Sequence, residues 1–366
     1  MALIIDYPGE ALPARPREPL EHEELIVRRG QRSGVYCAIA VHCTVLGPAL
    51  GGCRMWSYPT VDEGIDDALR LSRAMTMKAA AAGLPLGGGK GVICLPPNLS
   101  PSDRIRHELL RDFAETIDSL GGRYITAEDV GTNSADMAVV ARFTKHVVGR
   151  PREAGGSGDP GDYTAAGVEA SMRAVCQHLF ASPELTARRI AIVGCGSVGS
   201  HLARRLARVH ASLVLSDVDP ARKRLARELG ADWMEPEQAL TTPLDVLAPC
   251  AMGGVIHERL VERLRCRAIC GAANNQLVDQ SLAERLQERE ILYAPDFIVN
   301  AGGLINVSGE LNGYDPSLAI RRVAELQHVL ARVLREADRR KCTPLAAARA
   351  QAETWLSAGR ALRAAG

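Results

Sequence analysis

The chain has 366 residues, of which 46% are hydrophobic, and its formal net charge is +1. This length exceeds what one hydrophobic core normally organises, so two domains are expected. The near-neutral charge argues against nucleic acid or an anionic membrane surface as partners and favours a small molecule.

The first domain is predicted to mix strands and helices over residues 1–155. It opens with a Pro-rich, extended leader in which Asp6 and Pro8 precede any apolar run of signal-peptide length. No later run reaches the roughly 18 apolar residues of a membrane span, so we expect a cytoplasmic protein. Helical spacing of apolar residues predicts two helices, and β-branched runs predict three strands. The helices are expected around 65–76 and 109–120, and the strands at 35–42, 91–96 and 124–126.

The second domain is predicted to be an alternation of strands and helices over residues 156–334, which is typical of a parallel sheet. The segment 149–163 is rich in Gly and Pro and carries no periodic apolar face, which favours an interdomain hinge. The alanine-rich tail, residues 335–366, is expected to pack back on the first domain. Helices are predicted at 164–179, from Ser197 and as one long helix at 320–333, and strands at 189–193, at 213–216 and near Val246, Ile269 and Ile291.

The ten cysteines are scattered, without CxxC pairs or histidines at zinc spacing. We therefore expect reduced thiols that serve as small core residues, and no metal site.

A glycine-rich motif indicates where a dinucleotide binds. It follows the apolar strand IAIV and opens a helix, so backbone amides and the helix dipole would face a pyrophosphate. Asp217 ends the next strand at the distance expected for a carboxylate that binds an adenosine ribose, and its charge should repel a 2′-phosphate. NAD is thus preferred over NADP, although Arg222 and Lys223 lie nearby. Alternatively, the glycines only permit tight strand–helix packing. The motif is Gly194, Cys195, Gly196, Ser197, Val198 and Gly199.

Lysine placement indicates where catalysis occurs. Lys78 and Lys90 share one stretch, MTMKAAAAGLPLGGGKGVI, that contains no carboxylate. A poorly hydrated ammonium either pairs with an anion brought from elsewhere or gives up its proton readily and acts as a base. Lys90 follows Lys78 by 12 residues, across a helix end, a turn and three glycines, so the two groups can converge on one site. The alternative is two surface lysines.

Several blocks of the sequence resemble the Glu/Leu/Phe/Val dehydrogenase superfamily, and specifically its leucine, valine, phenylalanine and tryptophan dehydrogenase branch. These blocks are GPALGGCRMW, DALRLSRAMTMK, GLPLGGGK, GGRYITAEDVGT, APCAMGG, GAANNQL and YAPDFIVNAGGLINV, and together they extend from about 39 to 313. The resemblance implies an α/β fold of two domains, an N-terminal α/β substrate domain and a doubly wound Rossmann domain that binds NAD, with the active site in a cleft between them. It also implies a homo-oligomer, a dimer or an octamer.

The resemblance also implies residue roles. Lys78 corresponds to the lysine that binds the substrate α-carboxylate, Lys90 to the catalytic base that activates water, and Asp129 to the catalytic acid that handles the amine proton. Gly51 and Gly52 correspond to backbone that approaches the substrate. The other matched positions are Asn275 toward the substrate, Asn274 toward the nicotinamide ribose, and Thr164 and Asn300 toward the nicotinamide carboxamide.

The side-chain pocket is expected to be apolar, because four positions that match its wall carry no charge. A glutamate side chain buried there would lack a cationic partner, so branched aliphatic and aromatic amino acids remain as substrates, with leucine or valine ranked ahead of phenylalanine or tryptophan. The four positions are Leu50, Ala127, Leu304 and Val307.

The sequence departs from the family pattern at four positions. Three of them adjoin the substrate site: Cys53 in place of threonine, Met77 in place of tyrosine, and Gly91 after the catalytic lysine. Glu290 occupies a position that glycine often holds.

Two alternative functions lack the sequence features that would indicate them. A catalytically silent NAD-binding regulator or scaffold would be indicated by loss of Lys78, Lys90 or Asp129, and all three are present. A hydroxy-acid dehydrogenase would need a histidine near the cofactor, and none of the nine histidines falls in the glycine-rich blocks. The sequence therefore predicts NAD-dependent oxidative deamination of an apolar L-amino acid to the 2-oxo acid and ammonia.

Overall fold

The structure is a computed structural model that describes the strand Ala2–Ile5 and residues 21–365. Residues 6–20, most of the predicted leader, lie outside the described residues. The chain divides into two compact units, the first of Met1–Asp159, Val307–Tyr314 and Glu353–Gly366, and the second of Pro160–Asn306 and Asp315–Ala352. The predicted tail, 335–366, is thus shared between the units. A compact unit is defined by contacts, whereas a domain is a part of the chain that folds independently. The predicted domain bounds, 1–155 and 156–334, therefore stay predictions.

The first unit contains a mixed six-stranded sheet with the order β1-β2-β3-β5-β4-β6. β4 lies between β5 and β6 and is parallel to both, so the carboxyl ends of these three strands share one edge of the sheet. The three glycines before Lys90, expected to precede the strand, belong to it. The strands are β1 (Ala2–Ile5), β2 (Glu24–Arg29), β3 (Tyr36–Cys43), β4 (Ala49–Ser57), β5 (Gly87–Leu95) and β6 (Tyr124–Glu128).

Three helices of this unit are α1 (Val61–Ala81), α2 (Asp103–Asp118) and α3 (Ser134–Val140). Thr60 caps α1 by accepting the Glu63 N–H, and Lys78 lies in the last turn, as the sequence predicts. The apolar stripe of α2 is buried against the sheet, and Phe113 is fully buried. Each such side chain contributes about 1.5–3 kcal/mol on burial, which makes the sheet a rigid base for the residues at its edge.

The second unit contains a parallel sheet with the order β12-β11-β10-β7-β8-β9. Counted within the unit, this is the 3-2-1-4-5-6 order of doubly wound dinucleotide-binding folds. Its strands are β7 (Arg189–Val193), β8 (Ser212–Ser216), β9 (Asp232–Trp233), β10 (Leu244–Pro249), β11 (Cys266–Ile269) and β12 (Leu292–Tyr293). The α/β prediction is confirmed.

Further helices follow in the chain from residue 161 to residue 365. They are α4 (Gly161–Phe180), α5 (Ser197–Arg208), α6 (Lys223–Leu229), α7 (Pro236–Thr241), α8 (Glu258–Val261), α9 (Leu282–Glu288), α10 (Asp296–Val299), α11 (Gly302–Ser308), α12 (Pro316–Ala324), α13 (Leu326–Arg340) and α14 (Pro344–Ala365). In the part of the chain that the structure describes, no helix has the length and apolar character needed to cross a membrane.

The single long helix predicted at 320–333 is wrong, because two helices, α12 and α13, cover this segment. Glu325 separates them although its φ of −61° and ψ of −17° stay near helical values. The backbone therefore stays close to helical at Glu325, whose N–H donates to the Arg321 carbonyl, and the apolar periodicity continues through the interruption.

Candidate active site

Lys90 and Asp129 form the centre of the candidate site in the first unit. Lys90 lies on β5 and is 5% exposed, and Asp129 directly follows β6. The Lys90 ammonium donates a hydrogen bond to Oδ2 of Asp129. The stretch around Lys90 contains no carboxylate, and the fold supplies one from the neighbouring edge of the sheet.

Gly52, on β4, makes room for Asp129. A Cβ at Gly52 would lie 2.7 Å from Cβ of Asp129 and 2.6 Å from the carbonyl oxygen of Glu128. The Thr132 hydroxyl accepts the Asp129 N–H at 3.0 Å and donates to the Cys53 carbonyl at 2.8 Å. The backbone of Asp129 is therefore fixed by contacts on both sides.

Arg54 is a second cation at this carboxylate, and we did not predict it from the sequence. Its Nε donates to Oδ2 of Asp129 at 3.4 Å, the same oxygen that Lys90 binds. Burial alone would raise the pKa of Asp129, but the charges of Lys90 and Arg54 outweigh burial and lower it. Asp129 is thus an ionised carboxylate at neutral pH. The sequence feature that could have indicated Arg54 is its position two residues after Gly52 in the block GPALGGCRMW.

Lys78 lies on the end of α1 that packs against β5. Thr76 fills the space beside Gly88, where a Cβ would lie 2.1 Å from the Thr76 amide nitrogen. Lys78, two residues further along, is half-buried. The contact between Thr76 and Gly88 packs the end of α1 against β5. It therefore holds Lys78, on α1, next to the strand that carries Lys90.

The predicted wall residues are buried in their own units. Leu50 is 1% exposed, Ala127 6% and Val307 5% in the first unit, and Leu304 is 8% exposed in the second. Gly51 has a packing reason to be glycine, since a Cβ there would lie 1.8 Å from the Gly89 carbonyl oxygen.

Two of the departures from the family pattern have packing explanations. A Cβ at Gly91 would lie 2.3 Å from the Phe113 ring, so glycine is required at this position. Cys53 is fully buried, and burial raises the pKa of its thiol well above the usual range, so this cysteine is a neutral core residue. Glu290 has a φ of +56°, a left-handed conformation in which glycine would be unstrained. Nothing in the structure explains Met77.

The glycine motif of the second unit fits a dinucleotide. Gly194 has a φ of +105°, and a Cβ at Gly199 would lie 1.9 Å from the Gly194 carbonyl oxygen, so α5 starts directly against the loop. Gly196 and Ser197 are exposed, and no atom lies within 4 Å of a Cβ built at Gly196. Backbone amides at the start of this 12-residue helix can bind a pyrophosphate. Cys195 and Val198, the other members of the motif, are buried and half-buried.

Asp217 lies directly after β8, beside this loop. Its carboxylate accepts the Cys195 N–H at 2.6 Å and the Asp219 N–H at 2.9 Å. The side chain is therefore oriented at the carboxyl edge of the parallel sheet, where ribose hydroxyls bind in folds of this type.

The predicted asparagines of the second unit lie together. The Asn300 amide donates to Oδ1 of Asn274 at 2.9 Å and to the Ala272 carbonyl at 3.1 Å. Asn275 has a φ of +49°. Gln276, which we did not predict, is fully buried and donates to the Gly271 and Ala273 carbonyls at 2.8 and 3.0 Å, so it holds the loop in shape.

Thr164 lies near the start of α4, and its hydroxyl donates to the Pro160 carbonyl at 2.9 Å. A Cβ at Gly303 would lie 2.7 Å from Oγ1 of Thr164. The first turn of α4 therefore packs on α11, the helix that carries Leu304.

Comparisons with known proteins show which sequences and structures this chain is similar to. The family model described as Glu/Leu/Phe/Val dehydrogenase, dimerisation domain, matches residues 22–146, and the one described as Glutamate/Leucine/Phenylalanine/Valine dehydrogenase matches residues 215–348. A leucine dehydrogenase of Thermoactinomyces intermedius is 40% identical over 88% of this chain and 87% of its own. A phenylalanine dehydrogenase of Caldalkalibacillus thermarum is 40% identical over 90% and 89%. The crystal structure of L-tryptophan dehydrogenase from Nostoc punctiforme superposes with a TM-score of 0.80 at 36% identity, over 93% and 97%.

Proposed function

The chain belongs to the Glu/Leu/Phe/Val dehydrogenase family and is an amino acid dehydrogenase, and we propose that it uses NAD for the reversible oxidative deamination of an apolar L-amino acid. The observation that supports this proposal most strongly is the pair of buried Lys90 and half-buried Asp129 at the edge of the first sheet. All three relatives compared above are named as dehydrogenases, so nothing favours the catalytically silent scaffold.

Lys78 is proposed to bind the substrate α-carboxylate. It is a cation at the carboxyl end of α1, on the helix turn that packs against the glycines of β5. An ammonium in this position attracts and orients an anion such as the α-carboxylate, which suits an anchoring role.

Asp129 and Lys90 are proposed to transfer the protons. Ionised Asp129 accepts a proton from the substrate ammonium, which leaves a neutral amine on Cα. Loss of hydride from Cα leaves an iminium. Neutral Lys90 takes a proton from a water molecule as that water attacks the iminium carbon. Asp129 returns its proton to the nitrogen of the resulting carbinolamine. As the C–N bond breaks and ammonia leaves, the proton of the new hydroxyl passes back to the Asp129 carboxylate, and the 2-oxo acid remains. The reverse sequence is reductive amination.

NAD, when bound, accepts the hydride. The residues proposed to hold it are the glycine loop 194–199 at the pyrophosphate and Asp217 at the adenosine ribose, with Asn274, Asn300 and Thr164 toward the nicotinamide. The preference for NAD over NADP rests on Asp217, because a second anion at the ribose 2′ position would be repelled.

The substrate is proposed to be leucine or valine ahead of phenylalanine or tryptophan. Leu50, Ala127, Leu304 and Val307 provide no charge to pair with a side-chain carboxylate. An apolar pocket separates neighbouring substrates by only about 1–3 kcal/mol per methylene, so the ranking within this class is a question of fit. Asn275 is proposed to contact the substrate from the loop that Gln276 supports.

The enzyme is proposed to be a cytoplasmic homo-oligomer, a dimer or an octamer. The match of residues 22–146 to a model described as a dimerisation domain supports self-association through the first unit.

Initial rates across all proteinogenic L-amino acids test the proposal. With NAD at alkaline pH, we expect absorbance at 340 nm to rise with apolar amino acids and to stay flat with glutamate. The corresponding 2-oxo acids should consume NADH only when ammonia is present. No absorbance change with any amino acid, from protein that is folded and binds NADH, would refute the function.

A further inference from the structure

Two cations share one oxygen atom in the candidate site. Oδ2 of Asp129 accepts hydrogen bonds from the Lys90 ammonium and from Nε of Arg54. Lys90 lies on β5 and Arg54 on the adjacent strand β4. The carboxylate is therefore paired twice, and the second partner has no role in the reaction as described so far.

Arg54 is held in place by its other end. Its Nη1 donates to Oδ2 of Asp67 at 2.8 Å. The hydroxyl of Tyr58 and the guanidinium of Arg70 also donate to Asp67, at 2.7 and 2.6 Å. The Asp67 side chain is 13% exposed, so it forms a largely shielded anchor on α1. Burial by itself would lower the pKa of Arg54, but Asp129 and Asp67 outweigh it and raise that pKa.

The chemistry of the two cations differs in one decisive respect. A guanidinium stays protonated throughout the range in which enzymes work, whereas an ammonium can lose its proton. If Lys90 were the sole partner of Asp129, deprotonation of Lys90 would leave a carboxylate with no counter-charge in a largely buried site, which is costly. With Arg54 on the same oxygen, Asp129 stays paired whether or not Lys90 carries its proton.

We propose that Arg54 is a positioning residue that keeps the Asp129 carboxylate paired and oriented throughout the cycle, and so allows Lys90 to release its proton and act as the base. This inference rests on the proposed function. Arg54 does not touch the reacting atoms; it acts through Asp129, and Asp67 acts through Arg54.

Other charged groups surround this pair of cations and must be considered in any pH experiment. All of them are retained in the Arg54 variants, so a difference in pH dependence from the wild-type enzyme reports the loss of one positive charge. From the helices, strands and turns of the first unit they are Asp67, Arg70, Tyr58, Cys53, Asp136 and Arg106.

The test uses Arg54→Gln in the full-length protein and the pH profile of kcat. With Arg54 absent, the charge of Asp129 acts on Lys90 alone and favours its ammonium form, so the neutral base is formed only at higher pH. We expect the acidic limb of the profile to move up by about one pH unit. Arg54→Lys, which retains the charge, should recover at least half of this shift. Arg54→Met repeats the measurement with a side chain of similar reach and no charge.

Arg70→Gln is the matched control. Arg70 binds Asp67, as Arg54 does, but makes no contact with Asp129, and its side chain is 59% exposed. We expect its acidic limb to coincide with that of the wild-type enzyme. A merely structural role for Arg54 would lower the thermal midpoint and kcat at every pH, without moving the limb and without recovery in Arg54→Lys.

A second readout is independent of turnover. Competitive acetylation of Lys90 with acetic anhydride, followed by mass spectrometry across a pH series, reports the fraction of neutral amine directly. The half-reactive pH should rise in Arg54→Gln by the same amount as the kinetic limb. If the half-reactive pH is unchanged in folded Arg54→Gln, the inference is overturned. If this pH rises in Arg54→Gln but the wild-type protein oxidises no amino acid, only the proposed function is overturned.

Discussion

The Lys90 ammonium donates a hydrogen bond to the carboxylate of Asp129, although 39 residues separate the two in the chain. β4 lies between the strands that carry or precede them, and Gly52 on that strand has no side chain to keep the carboxylate away. The site therefore depends as much on the absence of a Cβ at Gly52 as on the two charged groups.

Replacement of Lys90 by alanine is expected to abolish turnover and spare cofactor binding. Loss of a general base typically lowers kcat by about 100- to 10,000-fold. The glycine loop and Asp217 belong to the second unit, so the Kd for NADH, measured by fluorescence titration, should stay within about twofold of the wild-type value.

Lys145→Ala is the control for this variant, because Lys145 is an exposed lysine of the same unit. Its kcat should equal that of the wild-type enzyme. Full activity in Lys90→Ala would mean that the base has been misassigned.

Glu128, next to Asp129, is expected to make stability depend on pH. Burial, followed by the negative charges of Asp159 and Asp136, raises the pKa of Glu128 from 4.5 to about 7. The folded state thus holds a proton that the unfolded state releases, so the free energy of unfolding decreases as pH rises from 4.5 through about 7. Because Glu128 is only half-buried, we expect this loss to be about 1–2 kcal/mol.

Glu128→Gln cannot ionise and should lack this loss. The free energy of unfolding is measured with urea at pH 4.5 and at pH 8. Between these pH values the wild-type protein should lose about 1–2 kcal/mol more than the variant does. Glu353→Gln, at an exposed position, is the control and should follow the wild-type protein. If the Glu128→Gln and wild-type proteins lose the same free energy between these pH values, Glu128 does not titrate in this range.

The sequence predicted regular elements well because local periodicity encodes them. The helix from Ser197 and the strands at 189–193 and 213–216 agree with the structure within one residue. Lys90 was singled out by its glycine-rich surroundings and Asp129 through the resemblance to a family, and their catalytic roles stay predictions. Their pairing was not predicted, since it depends on strand order, which no local pattern specifies.

Arg54 and Gln276 illustrate what the sequence cannot indicate by itself. An arginine two residues after a double glycine is compatible with an exposed strand end. Only the positions of Asp67 and Asp129 in the fold show what this side chain binds. Gln276 is buried to satisfy the Gly271 and Ala273 carbonyls, a need that arises only once the loop has its shape.

Replacement of Asp217 by asparagine is expected to weaken the preference for NAD. The variant keeps an oxygen that can accept the Cys195 N–H but loses the charge that should repel a 2′-phosphate. We expect kcat/KM with NAD to fall by about tenfold, because hydrogen bonds to a charged group are stronger than those to an amide. The value with NADP should stay the same or rise, so the ratio of the two decreases by at least about tenfold.

Asp232→Asn is the control for the loss of one negative charge near this edge of the sheet. Asp232 is exposed on β9, opposite Val214 of β8, and it should leave the ratio unchanged. Initial rates with both cofactors at one fixed ionic strength measure the effect, because screening changes with salt. If Asp217→Asn retains the wild-type ratio, Asp217 does not discriminate between the cofactors at the 2′ position. Another part of the adenosine site must then make this choice, and Arg222 and Lys223 are the next residues to replace.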